Sequence, residues 1–271
     1  MLVYLWLLPV GFLVGIFGTL IGAGGGFILA PLLLLLYPQE PAGIITCISL
    51  AVVFFNAASG SVAYARMRRI DYRTGLLFSA ATVPGAVLGA LTTTFIPRRE
   101  FDLVFGVLML LVAAFLLFPM PAAAKGPANA IRRGTTRTLI ERDGTTHTYT
   151  FSSGLGLALS GAVGYLSSLL GTGGGIIHVP ALIRLLNFPV HVATATSHFI
   201  LAIMALSGTL VHVAAGSFTH GIRRTLVLSA GVLLGAQFGA QLSGRVHGNW
   251  IVRLLALALA FAGVRILTLA Y

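Results

Sequence analysis

A glycine-rich break inside an apolar run occurs twice in this chain, and it constrains the fold more than any other feature. The first copy is Gly22-Ala-Gly-Gly-Gly26 and the second is Gly171-Thr-Gly-Gly-Gly175. Each follows a long apolar run and precedes a shorter one that contains a proline, Pro31 or Pro180. Glycine costs a helix about 1 kcal/mol relative to alanine. Both segments are therefore predicted to interrupt a helix.

The composition places both breaks inside a membrane protein. Of the 271 residues, 57% are hydrophobic and 8% are charged, and the mean hydropathy is +0.98. A soluble domain has about 25% charged residues, so we predict an all-α polytopic membrane protein that has the lipid bilayer as its partner. Inside lipid, the free backbone groups of a glycine break must be satisfied by protein or by a water-filled cavity.

The charges also follow a membrane pattern. Seventeen basic residues against six acidic ones give a net charge of +11. The arginines stand in short clusters between apolar runs, which indicates membrane loops rather than a nucleic-acid surface. By the positive-inside rule, Arg66–Arg73 and the arginine-rich centre of the chain are expected in the cytoplasm. In the second half, Arg223 and Arg224 compete with Arg245 and Arg253, so parallel and inverted halves both stay open.

The apolar runs divide the chain into two similar halves separated by one polar stretch. We predict a first transmembrane repeat at 1–118, an extramembranous linker at 119–150 and a second transmembrane repeat at 151–271. Each of the two homologous halves is expected to hold a glycine-broken helix plus three spanning helices, because about 20 apolar residues cross a bilayer. The runs of spanning length are Leu2–Ile21, Ile44–Ala65, Thr74–Phe95, Phe101–Phe118, Phe151–Leu170, Val192–Ala215, Leu226–Leu242 and Ile251–Leu269.

Other small-residue motifs recur at the spacing of the breaks. The offset stays within one residue of 149, which is the separation of Gly22 and Gly171. Chance similarity between helices rich in small residues is the alternative to duplication. The paired glycines at 85 and 89 and at 235 and 239 are expected at helix–helix contacts. The matching motifs are Gly15 with Gly164, Ser59-Gly60 with Ser207-Gly208, and Gly85-Ala-Val-Leu-Gly-Ala90 with Gly235-Ala-Gln-Phe-Gly-Ala240.

The linker carries the one hairpin signal of the chain. Asp143-Gly144 stands between threonine-rich runs, and this dipeptide between β-prone segments predicts a tight hairpin turn. We expect a small β-hairpin outside the bilayer, with a disordered linker as the alternative. Because the segment is polar and occurs in only one half, we expect that deletion of Thr138–Thr148 leaves transport largely intact.

The acidic residues indicate which charge the protein handles. All six lie between the apolar runs or at their ends, whereas cation transporters normally place carboxylates in the bundle interior. A half-helix that begins after a glycine break points free N–H groups and the positive end of its dipole into the bundle. Two such ends predict a site for a small anion.

The candidate substrate-binding residues are the two breaks and the polar side chains near them. They are Gly22, Gly24, Gly25, Gly26, Gly171, Thr172, Gly173, Gly174, Gly175, Ser49, Thr194, Ser197 and His198. The hydroxyls can instead bond their own helix carbonyls, and His198 can make an interhelical hydrogen bond instead of taking a substrate or proton role. His178 and His212 are weaker candidates, and Gln237 and Gln241 share a helix face that can line the path. No metal site, cofactor or catalytic motif is expected, so the chain is not predicted to be an enzyme.

These residues resemble a known family. The two Gly-x-Gly-Gly-Gly-(x)4-Pro segments, the run Thr194-Ala-Thr-Ser197 and the glycine pairs are similar to the TauE/SafE family, from about Val10 to Leu269. The resemblance implies an inner-membrane permease with two homologous halves. It also implies small sulfur-containing anions such as sulfite or sulfoacetate as substrates. The first half departs from the pattern, because Cys47-Ile48-Ser49 replaces the fuller Ala-Thr-Ser run.

Two functions are compatible with the sequence. The first is a secondary transporter of small anions, most of all sulfite or organosulfonates, held between the two glycine breaks. The second is a non-transporting membrane scaffold or assembly partner. Either protein can work as a homo-oligomer, and the direction of transport and the coupling ion stay open.

Overall fold

Both glycine-rich breaks end one helix and start another. In the computed structural model, Gly22 and Gly171 close the preceding helices with φ of 82° and 68°, and Gly25 and Gly174 precede the following helices with φ of 79° and 65°. Glycine adopts this left-handed conformation without the steric cost that a side chain brings. The structure describes residues 4–117, 134–216, 221–243 and 248–270.

Ten helices and one β-hairpin make up the described part of the chain. The helices before the hairpin are α1 (Leu7–Ile21), α2 (Gly26–Leu36), α3 (Ala42–Arg66), α4 (Tyr72–Thr93) and α5 (Arg98–Leu117). The hairpin consists of β1 (Thr135–Ile140) and β2 (Thr146–Phe151). The helices after it are α6 (Ser153–Leu170), α7 (Gly175–Arg184), α8 (Val190–Ala214), α9 (Ile222–Leu242) and α10 (Gly248–Ala270). Part of the basic, arginine-rich centre of the chain lies outside the described residues, namely Lys125, Arg132 and Arg133. Arg245 also lies outside them.

The surface of the bundle suits a lipid environment. Helices α3, α4, α6, α8 and α9 are long and apolar enough to cross a membrane. Large apolar side chains project outward from the bundle, and Leu88, Leu111, Leu234 and Phe238 are each more than half exposed. The chain is therefore a multi-pass membrane protein, as the composition predicts.

Helices α1 and α2 form a hairpin that enters and leaves the bundle at the same end. Helix α1 runs parallel to α9, because Gly11 packs on Leu228 and Gly15 on Val232. Helix α2 returns, and Tyr37 just after it lies under the guanidinium of Arg224 at the start of α9. The run Leu2–Ile21, which is long enough to span, thus belongs to a re-entrant pair. We call this end the Glu40 end, since Glu40 lies there and accepts a hydrogen bond from Arg224.

Helices α6 and α7 form a second hairpin that enters from the opposite end. Helix α6 starts directly after β2, and Phe188, four residues beyond the end of α7, packs on Phe151 of that strand. Helix α3 connects the two ends of the bundle, because it starts two residues after Glu40 and its 25 residues measure about 37 Å. Arg69, just beyond α3, forms an ion pair with Glu141 in the β-hairpin. We call this the Glu141 end.

The second set of helices therefore runs in the opposite sense to the first. Helices α3 and α8 cross the bundle antiparallel, because Gly60 packs on His198 and Gly208 packs near Leu50. This arrangement decides between the parallel and inverted alternatives in favour of inverted orientation. The homology of the two halves stays a prediction from the sequence.

Small residues bring the two sets of helices close together. A methyl group placed on Gly85 or Gly89 would meet the backbone of α6, and one placed on Gly235 or Gly239 would meet the backbone of α1. These four glycines thus lie at helix–helix contacts, as expected. The main pairings between the two sets are α1 with α9, α4 with α6, α3 with α8 and α5 with α10.

The β-hairpin is packed onto the Glu141 end. Its turn contains Asp143, which accepts the backbone N–H of Thr145 at 2.9 Å, and this bond lowers the pKa of the Asp143 carboxyl. The Tyr149 hydroxyl donates to Asp71 Oδ2 at 2.8 Å, and Glu141 is only 5% exposed. Burial raises the pKa of the Tyr149 phenol, and the hydrogen bond to Asp71 raises it further. The strands continue to Phe151, one residue beyond the predicted linker.

Candidate functional site

The two glycine breaks meet halfway along the spanning helices. A methyl group placed on Gly24 would lie 3.0 Å from Val53 Cγ1 and 3.5 Å from Leu201 Cδ1. Val53 stands near the middle of α3, and Leu201 stands near the middle of α8. The same Val53 side chain also lies against Gly26 of the first break and Gly173 of the second. Both breaks therefore occupy the centre of the bundle.

The breaks contact one another through their backbones. A methyl group placed on Gly26 would lie 2.7 Å from the carbonyl carbon and oxygen of Thr172. A methyl group placed on Gly175 would collide with Ala23 Cα and the carbonyl oxygen of Gly22. No side chain fits at either position without moving the opposite hairpin, which is the physical reason for glycine there.

Each break exposes the uncapped start of a helix to this centre. Gly25 precedes α2 and Gly174 precedes α7, and neither helix has a side chain that caps its first turn. The first N–H groups of an α-helix have no acceptor within the helix. The helix dipole adds partial positive charge at the same place. Two such ends at one level favour an anion over a cation.

Hydroxyl groups cover the carbonyl oxygens that end α1 and α6. Ser49 Oγ donates to the carbonyl of Gly171 at 2.6 Å, and Ser197 Oγ donates to the carbonyl of Gly22 at 3.3 Å. Thr93 Oγ1 donates to the carbonyl of Leu169 at 2.7 Å. These bonds satisfy acceptors that would repel an anion.

A buried network occupies the side of the first break. Thr19 donates its hydroxyl hydrogen to Asn56 Oδ1 at 2.9 Å, and Tyr64 donates to the carbonyl of Thr19 at 2.8 Å. His198 Nε2 lies 3.2 Å from Thr19 Oγ1. Since the Thr19 hydrogen goes to Asn56, the network assigns the Nε2–H donor to His198. Gly60 leaves room for the imidazole, because a methyl group there would lie 2.8 Å from Nε2.

Several buried polar atoms near the breaks have no hydrogen-bond partner in the described part of the chain. In the first break these are Asn56 Nδ2 and His198 Nδ1, and a methyl group on Gly25 would lie 3.3 Å from that Asn56 nitrogen. In the second break they include Ser167 Oγ, which stands against Gly174. Native structures leave few buried polar groups unpaired, so each such group calls for a ligand or a water molecule.

A cavity of about 720 Å³ opens at the Glu40 end. Ile44 and Thr93 line it, together with residues of the loops that precede α3 and α5. Thr93 also donates to the carbonyl of Leu169, one residue before the end of α6, so the cavity reaches the tip of the second hairpin. We call this cavity the vestibule.

The carboxylates stay away from the centre. Glu40, Asp71, Glu141 and Asp143 lie outside the helices, and the remaining two, Glu100 and Asp102, stand in the first five residues of α5. Asp102 forms an ion pair with Arg98 at 2.8 Å. The centre is therefore built from backbone N–H groups, hydroxyls, an amide and an imidazole.

The structure brings all the predicted site residues together around the two breaks. Thr194 packs on Gly22, and Thr172 packs through its backbone on Gly26. Of the weaker candidates, His178 contacts Ser160 and Gln237 donates to Ser59 Oγ, away from the breaks. His212 lies on α8 one turn beyond Gly208, which packs on Ser168 of the second break.

Sequence reasoning missed several polar residues at the breaks. A polar residue within an apolar run is the signal that would have found them. They are Thr19, Asn56, Tyr64, Ser167 and Ser168.

Comparison with known proteins agrees with this architecture. The family model described as sulfite exporter TauE/SafE matches residues 7–266, which is nearly the whole chain. The chain belongs to the TauE/SafE family. It is therefore a member of a membrane transporter family, in agreement with the resemblance found in its motifs.

Relatives of this TauE/SafE chain cover almost its full length. It is 31% identical to the probable membrane transporter protein YunE of Bacillus subtilis, over 96% of both chains. It is 24% identical to the probable membrane transporter protein MJ0441 of Methanocaldococcus jannaschii, again over 96% of both chains. It is 28% identical to the probable membrane transporter protein YdhB of Bacillus subtilis, over 94% of this chain and 97% of that one. No solved structure gives a significant match.

Proposed function

We propose that the protein is a secondary transporter of small oxyanions, sulfite or organosulfonates such as sulfoacetate, which bind where the two glycine breaks meet. One observation carries the proposal. The uncapped starts of α2 and α7 lie together in the bundle centre, and each stands beside a buried donor without a partner, Asn56 Nδ2 or Ser167 Oγ. Helix N-termini that face each other at a break are the usual anion site of inverted transporters.

The chemistry of the centre favours an anion over an amine or a metal cation. An ammonium group needs acceptors, but the carbonyls of Gly22 and Gly171 already accept hydroxyl hydrogens. No carboxylate lies near to offset a positive charge. A compact oxyanion, in contrast, accepts hydrogen bonds from several donors at once. The family model's description, sulfite exporter, supports the same substrate class.

The vestibule and the arginines suggest which side the described conformation faces. Arg66, Arg68 and Arg69 gather at the Glu141 end, which the positive-inside rule places in the cytoplasm. The vestibule at the Glu40 end then opens to the outer side. The β-hairpin covers the cytoplasmic end in this conformation.

The test is the flux of radiolabelled sulfite or sulfoacetate into proteoliposomes, with Asn56→Asp as the decisive variant. Aspartate keeps the oxygen that accepts from Thr19 but replaces the Nδ2 donor with a carboxylate oxygen. We expect transport to fall at least tenfold while the protein still inserts in the membrane. Asn187→Asp is the matched control, because Asn187 is exposed, lies in the loop after α7 and has a φ of 56° that aspartate also tolerates.

Three results would contradict the proposal. One is the absence of anion flux in the wild-type protein, which would favour the scaffold function. Another is normal flux in Asn56→Asp. The third is a preference for taurine, whose ammonium group meets donors here, over sulfite and sulfoacetate.

A further inference from the structure

The hydroxyl groups of the two breaks are used in different ways. In the first break, the Thr19 hydroxyl is hydrogen-bonded to Asn56 and His198, and the Tyr64 hydroxyl donates to the carbonyl of Thr19. In the second break, Ser168 stands at the position that corresponds to Thr19 by the 149-residue offset. Ser168 Oγ is fully buried and has no partner among the described residues. The Ser168 hydroxyl is therefore unpaired in the second break, whereas the corresponding Thr19 hydroxyl is bonded in the first.

Two further side chains of the same kind stand near Ser168. Thr46 lies on α3 against Gly171, and its Oγ1 has no partner in the part of the chain described. His212 lies on α8 one helical turn beyond Gly208, and a methyl group on Gly208 would collide with Ser168 Oγ. Both ring nitrogens of His212 lack a partner among these residues, although the side chain is completely buried.

All three side chains stand close along the chain to residues that line the vestibule or bond to its lining. Thr46 follows the vestibule residue Ile44 by two positions on α3, and His212 precedes the vestibule residue Ala215 by three positions. Ser168 is next to Leu169, whose carbonyl accepts from the vestibule residue Thr93. Three helices thus bring three buried, unpaired polar side chains near the lining of one open cavity.

We propose that Thr46, Ser168 and His212 form a second anion-binding site at the floor of the vestibule, which a small oxyanion occupies between the vestibule and the glycine breaks. This inference rests on the proposed anion transport and adds a site on its path. The ligand is the same sulfite or sulfonate class, bound by hydroxyl and imidazole donors. It is held without any carboxylate or fixed cation.

The neighbouring carbonyls decide between an anion and a sodium ion. Sodium prefers oxygen ligands, and free carbonyls at a helix end would supply them. Here the carbonyl of Gly171 accepts from Ser49 and that of Leu169 accepts from Thr93. Because both carbonyls already accept hydrogen bonds, they are poor ligands for sodium. The unpaired side chains of Thr46, Ser168 and His212 can donate hydrogen bonds to an anion.

The experiment compares Ser168→Ala and Thr46→Val with the control Ser229→Ala in proteoliposomes. Ser229 is also buried and unpaired in the described chain, but it lies on α9, which packs mainly on α1 and α3. Loss of one hydrogen bond to a charged ligand lowers affinity about tenfold or more. We expect KM for sulfite or sulfoacetate to rise by that factor in each floor variant and to stay unchanged in Ser229→Ala. His212→Phe, which removes both ring nitrogens, should also raise KM.

The outcomes separate this site from the proposed function. Wild-type flux with unchanged KM in all floor variants would overturn the floor site while leaving the proposed function standing, and would identify the polar floor as a water site only. A change in sodium dependence without a change in anion KM would overturn it in favour of a cation site. If the wild-type protein shows no flux, the proposed function fails. The floor site is then tested by whether sulfite raises the Tm of the wild type but not of Ser168→Ala, and equal shifts would overturn it.

Discussion

Ser49 donates its hydroxyl hydrogen to the carbonyl oxygen of Gly171, 122 residues further along the chain, at 2.6 Å. The bond joins the first spanning helix to the tip of the second re-entrant hairpin. Both groups are buried, so neither finds a replacement partner in bulk water. Ser197 makes the reciprocal bond to Gly22 at 3.3 Å. The two bonds tie each hairpin tip to a helix of the other set.

Removal of the Ser49 hydroxyl tests the first of these bonds. Ser49→Ala leaves the Gly171 carbonyl buried and unpaired, which costs about 1–3 kcal/mol of unfolding free energy. We expect a lower Tm in detergent, measured by the fluorescence of a thiol-independent dye or by light scattering. Ser207→Ala is the control, because Ser207 Oγ bonds the carbonyl of Ile203 in its own helix. Equal Tm values for both variants would show that the interhelical bond contributes nothing.

The contact between the two breaks predicts a second effect. Gly175→Ala places a methyl group against Ala23 and Gly22, so the two hairpins must separate. Overpacking of this kind costs about 1–3 kcal/mol, and we expect anion flux to fall at least tenfold at normal membrane levels. Gly161→Ala is the control, since its methyl group would lie 3.5 Å from its nearest neighbour, Ala81 O. Full flux in Gly175→Ala would mean that the breaks do not need this close approach.

His198 is predicted to hold the first break together rather than to carry a proton. Its Nε2 bonds Thr19, and its ring packs at 84° to the ring of Tyr64. We expect His198→Gln to lower the Tm while the shape of the transport profile between about pH 5 and 8 stays the same, which is the range where an unperturbed histidine titrates. Measurement of the initial flux across that pH range distinguishes a structural role of His198 from a proton-carrying one. A flattened profile with an unchanged Tm would assign the proton to His198.

Tyr149 links the β-hairpin to the bundle in a pH-dependent way. The raised pKa of its buried phenol means that the folded protein keeps it neutral, whereas the unfolded chain ionises it near pH 10. The stabilisation from the Asp71 bond is thus fully present below about pH 10 and declines as pH rises above that value. We expect wild type to exceed Tyr149→Phe in Tm by the equivalent of about 1–3 kcal/mol at pH 8, with a smaller gap at pH 11. A gap that does not change with pH would contradict this account.

The ion pairs of the β-hairpin add an effect on stability to the predicted outcome of the linker deletion. Deletion of Thr138–Thr148 removes Glu141, which pairs with Arg69 at 2.6 Å and with His147 at 2.8 Å. An unpaired Arg69 would remain in a partly buried position. The deletion is therefore expected to lower the Tm, while largely intact transport in the folded protein stays a prediction from the sequence.

The inverted arrangement gives a labelling test of orientation. Gln39 is exposed at the Glu40 end, and Thr146 is exposed at the Glu141 end. With the single native cysteine, Cys47, replaced by serine, we expect Gln39→Cys to react with a membrane-impermeant maleimide in intact cells. Thr146→Cys should react only after permeabilisation. The reverse pattern would place the vestibule in the cytoplasm.

The sequence was sufficient to predict the breaks, the hairpin turn and the five described helices that are long and apolar enough to cross a membrane, because each depends on local patterns. Glycine content decides where a helix stops, apolar length decides what crosses, and Asp143-Gly144 decides where a turn forms. Hydrophobicity alone, however, does not separate a crossing helix from a re-entrant one. Leu7–Ile21 is apolar apart from Thr19, and only its packing beside α9 shows that the chain turns back.

The sequence predicted the glycines of the candidate site and several side chains near them, but not their polar partners Thr19 and Asn56. The duplication of the glycine segments identified the breaks. Ser168 and His212, in contrast, belong to no periodic sequence pattern and lie 44 residues apart. Their proximity depends on the contact between Gly208 and Ser168, which is a property of the assembled helices. The orientation of the halves was equally inaccessible, because the arginines of the second half favour neither side.

Val53 lies against Gly24 and Gly26 of one hairpin and against Gly173 of the other. In an interior packed as densely as a molecular crystal, one side chain cannot follow two surfaces that move apart. If the two hairpins separate, Val53 therefore loses its packing against at least one of them. A continuous route between the hairpin tips would require this valine to leave its position. We therefore expect a single aliphatic side chain to keep the space between the two hairpins closed.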